Sequence, residues 1–152
     1  MSETNADNIP LAVLFPGQGS QEKGMGRDMA EANKEVMQLW DRAESITGAA
    51  LRDIYWDGDQ EAMAETSYLQ PALTVIGLGV WLCYPFQRKP DYLAGHSVGE
   101  YPALAAAGVL EPEDVLQLVA LRGRLMSEAG EDRPGKMAAV LKLEQETVEQ
   151  IV

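Results

Sequence analysis

The chain has 152 residues, 46% apolar and 24% charged, which suffices for one domain with a real core and is too apolar for disorder. Twelve basic residues stand against 24 acidic ones, and the net charge of −12 argues against nucleic acid and anionic membrane as partners. A single cysteine, Cys83, excludes an internal disulfide and fits a reducing cytosol.

The first ten residues, "MSETNADNIP", are polar and acidic and lack the basic and apolar regions of a secretory signal. "LAVLF" (11–15) is a continuous apolar run ending at Pro16-Gly17, which predicts a buried parallel strand followed by a turn. From 27 to 46, Met29, Ala32, Val36, Leu39, Trp40, Ala43 and Ile46 recur at spacings of three and four and define one helical face. "YWDGDQE" reads as a loop around Gly58. The apolar run 71–84 is interrupted by Thr74, Gly77 and Gly79 and falls short of the roughly 20 residues a bilayer span needs. It predicts a buried core helix, and with it an inert core thiol at Cys83.

"YLAG" (92–95) is a second short strand, and a helix follows over 98–107 with Gly108 near its end. "LEPEDVLQLVALRGRLMSEAG" (110–130) is a helix with Pro112 and two acids in its first turn. After "RPG" (133–135), "KMAAVLKL" reads as a strand and "EQETVEQIV" as the start of a helix. Strands alternating with helices imply an α/β fold with a mostly parallel sheet. The last strand and helix cannot bury their own faces, so they read as the opening of a second unit. Uncovered apolar faces lead us to expect self-association.

"AGHSVGEY" carries the first chemical signal: a serine between two glycines where a strand meets a helix. Small neighbours at Gly95 and Gly99 let such a turn lift the Ser97 hydroxyl above the sheet edge, and the Val98 N–H would face an oxyanion formed there. The same letters also fit a capping box, Ser97-x-x-Glu100, with the serine merely closing the helix. His96 is the only histidine, but adjacent side chains on a tight turn diverge, so it is poorly placed to take the Ser97 proton. Packing and support of the turn suit it better.

"FPGQGSQ" (15–21) follows the first strand, and two glycines around Gln18 let the backbone approach a ligand. The Gln18 N–H is a candidate second oxyanion donor, although a plain turn has the same spelling. Arg122 falls within the stripe formed by Val115, Leu118, Val119, Leu125, Met126 and Ala129. An inward guanidinium requires an anion, either an internal Asp or Glu or a carboxylate on a substrate.

"FPGQGSQ", "AGHSVGEY" and "LVALRGRLM", in that order and at these separations, closely resemble the bacterial malonyl-CoA:acyl-carrier-protein transacylases. More broadly they resemble the acyltransferase domains of fatty acid and polyketide synthases, and "YLQPAL" (68–73) is similar to a further segment of the family. The resemblance runs from Leu11 to Val152. It implies Ser97 as the nucleophile that takes the malonyl group, Arg122 as the holder of its carboxylate, and Gln70 near the pocket. It further implies the backbones of Gln18 and Val98 as the oxyanion hole, with Gly95, His96 and Gly99 supporting the elbow.

The implied fold is part of a large α/β-hydrolase-like subdomain (1–133), then the first strand and helix of a small ferredoxin-like subdomain (134–152). The implied reaction moves malonyl from CoA to the phosphopantetheine thiol of acyl carrier protein in fatty acid biosynthesis, in the cytoplasm, with no metal or redox cofactor. Pro102 departs from the family pattern early in the elbow helix and is tolerable in a first turn. Length is the larger departure. Family members are about twice as long, and their catalytic histidine lies in the second half. The chain therefore reads as an N-terminal portion, inactive alone. A serine esterase with the same elbow and a polyketide-type acyltransferase are the alternatives.

Overall fold

The computed structural model describes residues 9–85, 88–133, 135 and 140–151. The described part is mostly helical, with a small parallel sheet. Strand β1 (Ala12–Phe15) pairs in parallel with β2 (Tyr92–Gly95), in the register Ala12↔Tyr92 to Phe15↔Gly95. Four helices connect them: α1 (Arg27–Ala32), α2 (Lys34–Thr47), α3 (Gln60–Ala64) and α4 (Thr66–Cys83). A single 3-10 turn, Ser97–Gly99, then leads into α5 (Glu100–Ala106), and α6 (Pro112–Asp132) and α7 (Gln145–Glu149) complete the order.

The strands are parallel as expected, but β1 is not buried throughout. Phe15 is enclosed while Leu14 is 74% exposed, because only one face of the pair is covered. The 27–46 face divides into two helices at Asn33, whose extended backbone ends α1 and whose side chain accepts the Glu35 N–H at 2.9 Å. The expected loop at 55–61 is instead ordered. Asp53–Asp57 forms a π turn that buries Tyr55, and Asp59 caps α3 through the Ala62 N–H. The Tyr55 hydroxyl donates to the Met63 carbonyl at 2.7 Å, and burial raises its pKa well above the ordinary phenol value.

Helix α4 is the core helix, packed between α2 and α6, with Leu69 to Ile76 buried. By length and composition it could cross a membrane, but 56% of it is buried inside the fold, as in the central helix of a packed domain. Its last turn leaves the core, so Cys83 is exposed and not the core thiol its apolar neighbours implied. Trp40, Tyr55, Val115, Leu116 and Val119 close the core around the buried side chains of α4. Each fully buried aliphatic side chain there contributes about 1.5–3 kcal/mol.

Gly123 brings α6 close to α4. A Cβ there would lie 2.9 Å from the Thr66 carbonyl oxygen and 3.2 Å from the Ser67 Cα. The buried face of α6 is therefore Val115, Leu116, Val119 and Gly123, while Leu118, Leu125 and Met126 are exposed. This corrects the stripe read from spacing and moves Arg122 from its centre to its margin.

Of the expected strand 136–143, residues 136–139 lie outside the described residues, and 140–143 carry no strand. The expected final helix is present as α7.

Candidate active site

The site begins where β2 ends. The His96 N–H donates to the Phe15 carbonyl at 3.0 Å, and the Gly99 N–H returns to the His96 carbonyl at 2.9 Å. Between these bonds the chain reverses at Ser97, whose φ of 55° lies in the left-handed region. A non-glycine residue held there costs about 1–3 kcal/mol, which the surrounding bonds must offset. Both flanking glycines are required. A Cβ on Gly95 would lie 2.1 Å from the Gly99 carbonyl oxygen, and one on Gly99 would lie 2.3 Å from the Phe15 carbonyl oxygen. Neither the 3-10 turn nor α5 has a side-chain cap, so the capping-box reading of Ser97 and Glu100 is set aside.

The exposed Ser97 hydroxyl meets the guanidinium of Arg122. Arg122 Nη2 donates to Ser97 Oγ at 3.2 Å, and Nη1 donates to Gln70 Oε1 at 2.5 Å. Gln70 is 0% exposed, and its Nε2 donates to Met126 Sδ at 3.2 Å, so the amide orientation is fixed from both ends. Among the described residues no acid forms an ion pair with Arg122. Of the two anions the sequence allowed, the internal one is thus not found among the described residues. The structure brings Ser97, Gln70 and Arg122 together from α4, the elbow and α6, although 27 and 25 positions separate them in sequence.

The Gln18 turn lies against the elbow. Gly17 is buried, and a Cβ on it would be 2.7 Å from both His96 Nδ1 and the His96 carbonyl oxygen. The imidazole thus rests on Gly17, and no hydrogen bond joins it to Ser97 among the described residues. Ser20 Oγ donates to the Gly17 carbonyl at 2.8 Å, and Gly19, at φ 104°, donates its N–H to Gln21 Oε1 at 2.8 Å. Gln18 stands exposed at the tip of this braced turn. Beneath the elbow, a mostly apolar cavity of about 290 Å³ is walled by Phe15, Leu73, Ile76, Trp81, Val98 and Pro102, among others.

Three contributors escaped the sequence reading. Tyr101 places its ring 5.9 Å below the Arg122 guanidinium, and Met126 holds Gln70. Ser20 braces the Gln18 turn. Helical spacing was the available signal for the first two: Tyr101 follows Ser97 by four residues and Met126 follows Arg122 by four, one turn on the same side.

The acyl transferase domain model matches residues 13–152. A malonyl CoA-acyl carrier protein transacylase of Bacillus subtilis (strain 168) is 39% identical over 144 residues, covering 93% of this chain and 45% of that protein. The crystal structure of the transacylase of that name from Burkholderia pseudomallei superposes with a TM-score of 0.81 at 38% identity, over 93% of this chain and 48% of the other. A malonyl-transacylase solved in complex with a type II polyketide-synthase acyl-carrier protein matches with a TM-score of 0.72 at 39% identity, covering 80% of this chain and 40% of its own. The chain thus spans about half the length of the relatives it matches.

Proposed function

Because the chain belongs to the acyl transferase domain family, we propose that it is the serine-bearing part of a malonyl-CoA:acyl-carrier-protein transacylase. The observation that carries this reading is the Ser97 hydroxyl held 3.2 Å from a guanidinium that has no acidic partner among the described residues. A serine esterase has no use for such a cation. A substrate with a free carboxylate near its reacting carbonyl does.

Ser97 Oγ attacks the thioester carbonyl of malonyl-CoA as a base removes its proton. The backbone N–H groups of Gln18 and Val98 receive the oxyanion, aided by the turn that Gly95, His96 and Gly99 support. The C–S bond breaks, CoA leaves as its thiol, and malonyl remains as an ester on Ser97. The phosphopantetheine thiol of acyl carrier protein then attacks that ester, and Ser97 recovers its proton. Arg122 holds the malonyl carboxylate throughout, with Gln70 holding Arg122.

His96 does not serve as the base in this reading, since its ring rests on Gly17. The base belongs to the second half that the relatives possess. Residues 1–133 belong to a large α/β-hydrolase-like subdomain and 134–152 begin a ferredoxin-like one. The reaction is cytoplasmic and needs neither metal nor redox cofactor. The match to a transacylase bound to a polyketide carrier supports a polyketide-type acyltransferase as the second reading.

The test compares malonyl-CoA with acetyl-CoA in a polypeptide where this chain is continued by that second half. Charge-assisted hydrogen bonds contribute about 1.5–3 kcal/mol each, so Arg122→Ala should lower kcat/KM for malonyl by about two decades or more. The acetyl rate should fall far less. Equal losses for both would make Arg122 a structural residue.

A further inference from the structure

The Arg122 guanidinium is held without being neutralised. Among the described residues it meets the Gln70 amide oxygen, the Ser97 hydroxyl and the face of the Tyr101 ring, all uncharged. Ionic partners are common for other arginines in the chain. Arg52 pairs with Asp41 and Glu44, Arg27 with Glu31 and Asp57, and Arg124 with Glu128. A carboxylate beside Arg122 would fix it equally well but would cancel its charge before any ligand arrived.

The two hydrogen bonds fix one edge of the guanidinium plane, and they leave its tilt free. An aromatic face supplies the missing restraint, because the ring's quadrupole attracts the flat cation over its centre. Tyr101 can do this because it lies one helical turn beyond Ser97, and it is itself packed against the core from α5.

We propose that Tyr101 is a positioning residue: its ring holds the Arg122 guanidinium facing Ser97 and keeps the full positive charge available for a carboxylate ligand. This rests on Arg122 as the carboxylate anchor.

The test uses this chain continued by the second half of its relatives, with position 101 as tyrosine, as Tyr101→Phe, and as trifluoro- and pentafluorophenylalanine, which keep the shape while draining the ring face of electron density. Malonate is the probe and neutral malonamide the control, both followed by ligand-detected NMR, and the Arg122 Nε–H shift reports the ring contact without ligand. Tyr101→Phe should bind malonate like the parent, and the fluorinated rings should weaken it stepwise, by about three- to tenfold at pentafluorophenylalanine. Malonamide should show no trend. Shape alone cannot produce this grading. Malonate affinity that is measurable in the parent and flat across the series would overturn the role of Tyr101 and leave the Arg122 anchor standing. No malonate binding by the parent would overturn the anchor and this inference with it. An Arg122 signal lacking the ring shift would overturn the contact, and with it the role of Tyr101, while leaving the anchor standing.

Discussion

At the scale of single residues, the elbow is a set of backbone approaches that tolerate no side chain. Ser97 stays at φ 55° because Gly95 and Gly99 let three stretches of backbone crowd together. Gly99→Ala would force a Cβ to within 2.3 Å of the Phe15 carbonyl oxygen and 2.6 Å of the Pro16 carbonyl oxygen, neither of which can rotate away. Overpacking of this kind costs about 1–3 kcal/mol, and we expect denaturant unfolding of the Gly99→Ala chain to show a loss of that size or more. An unchanged midpoint would mean that the elbow is looser than described. These glycines were legible because the spacing G-x-S-x-G has a steric reason. Tyr101 was not, because an aromatic residue on an amphipathic helix is ordinarily core, and only the position of α6 reveals what lies above its ring.

At the scale of elements, α4 and α6 carry the site between them. Glu65, at the start of α4, accepts from the Ser67 N–H at 3.4 Å, from Ser67 Oγ at 3.1 Å and from Ser127 Oγ on α6 at 2.8 Å. The Ser127 bond is the main reason its carboxyl titrates below the usual range. Glu44 on α2 is subject to a burial penalty that raises its pKa, but the bonds from the Arg52 side chain and backbone outweigh it and leave the net value lowered. Both groups therefore stabilise the fold fully above about pH 4.5, where they are ionised even in the unfolded chain, and lose that contribution as pH falls through their lower folded values. Thermal melts should show Tm falling on acidification below pH 4.5, less steeply in the double variant Glu44→Gln/Glu65→Gln. Parallel curves for the two proteins would remove these carboxylates from the acid response.

The helices themselves were largely legible from periodicity, and their interruptions were not. The apolar face of 27–46 keeps its phase across Asn33, so spacing alone cannot show that the chain extends there to cap α2. Likewise "DIYWD" has the polar flanks of a loop, and only the enclosed Tyr55 makes it a turn of helix. Arg122 was singled out by an apolar stripe that the buried face of α6 does not follow. Its placement at the margin depended on Gly123, whose lack of a side chain rotates α6 toward α4.

At the scale of the whole molecule, the core is closed but large apolar side chains remain exposed around it. Leu14 and Tyr92 of the sheet, Val80 and Leu82 of α4, and Leu118, Leu121 and Leu125 of α6 are all exposed. Apolar exposure on this scale favours association, and light scattering should give a mass above the 16.6 kDa of one chain. A monomeric mass at micromolar concentration would show that these faces are tolerated in water.

The central claim is that Ser97 carries the acyl group. It is tested most directly by incubating the polypeptide, continued by the second half of its relatives, with isotopically labelled malonyl-CoA, quenching in acid, and mapping the label by peptide mass spectrometry. The account predicts one malonyl group on the peptide containing Ser97, released by acyl carrier protein bearing its phosphopantetheine thiol, and none in Ser97→Ala. Label on another residue, or label persisting at the parent level in Ser97→Ala, would contradict it.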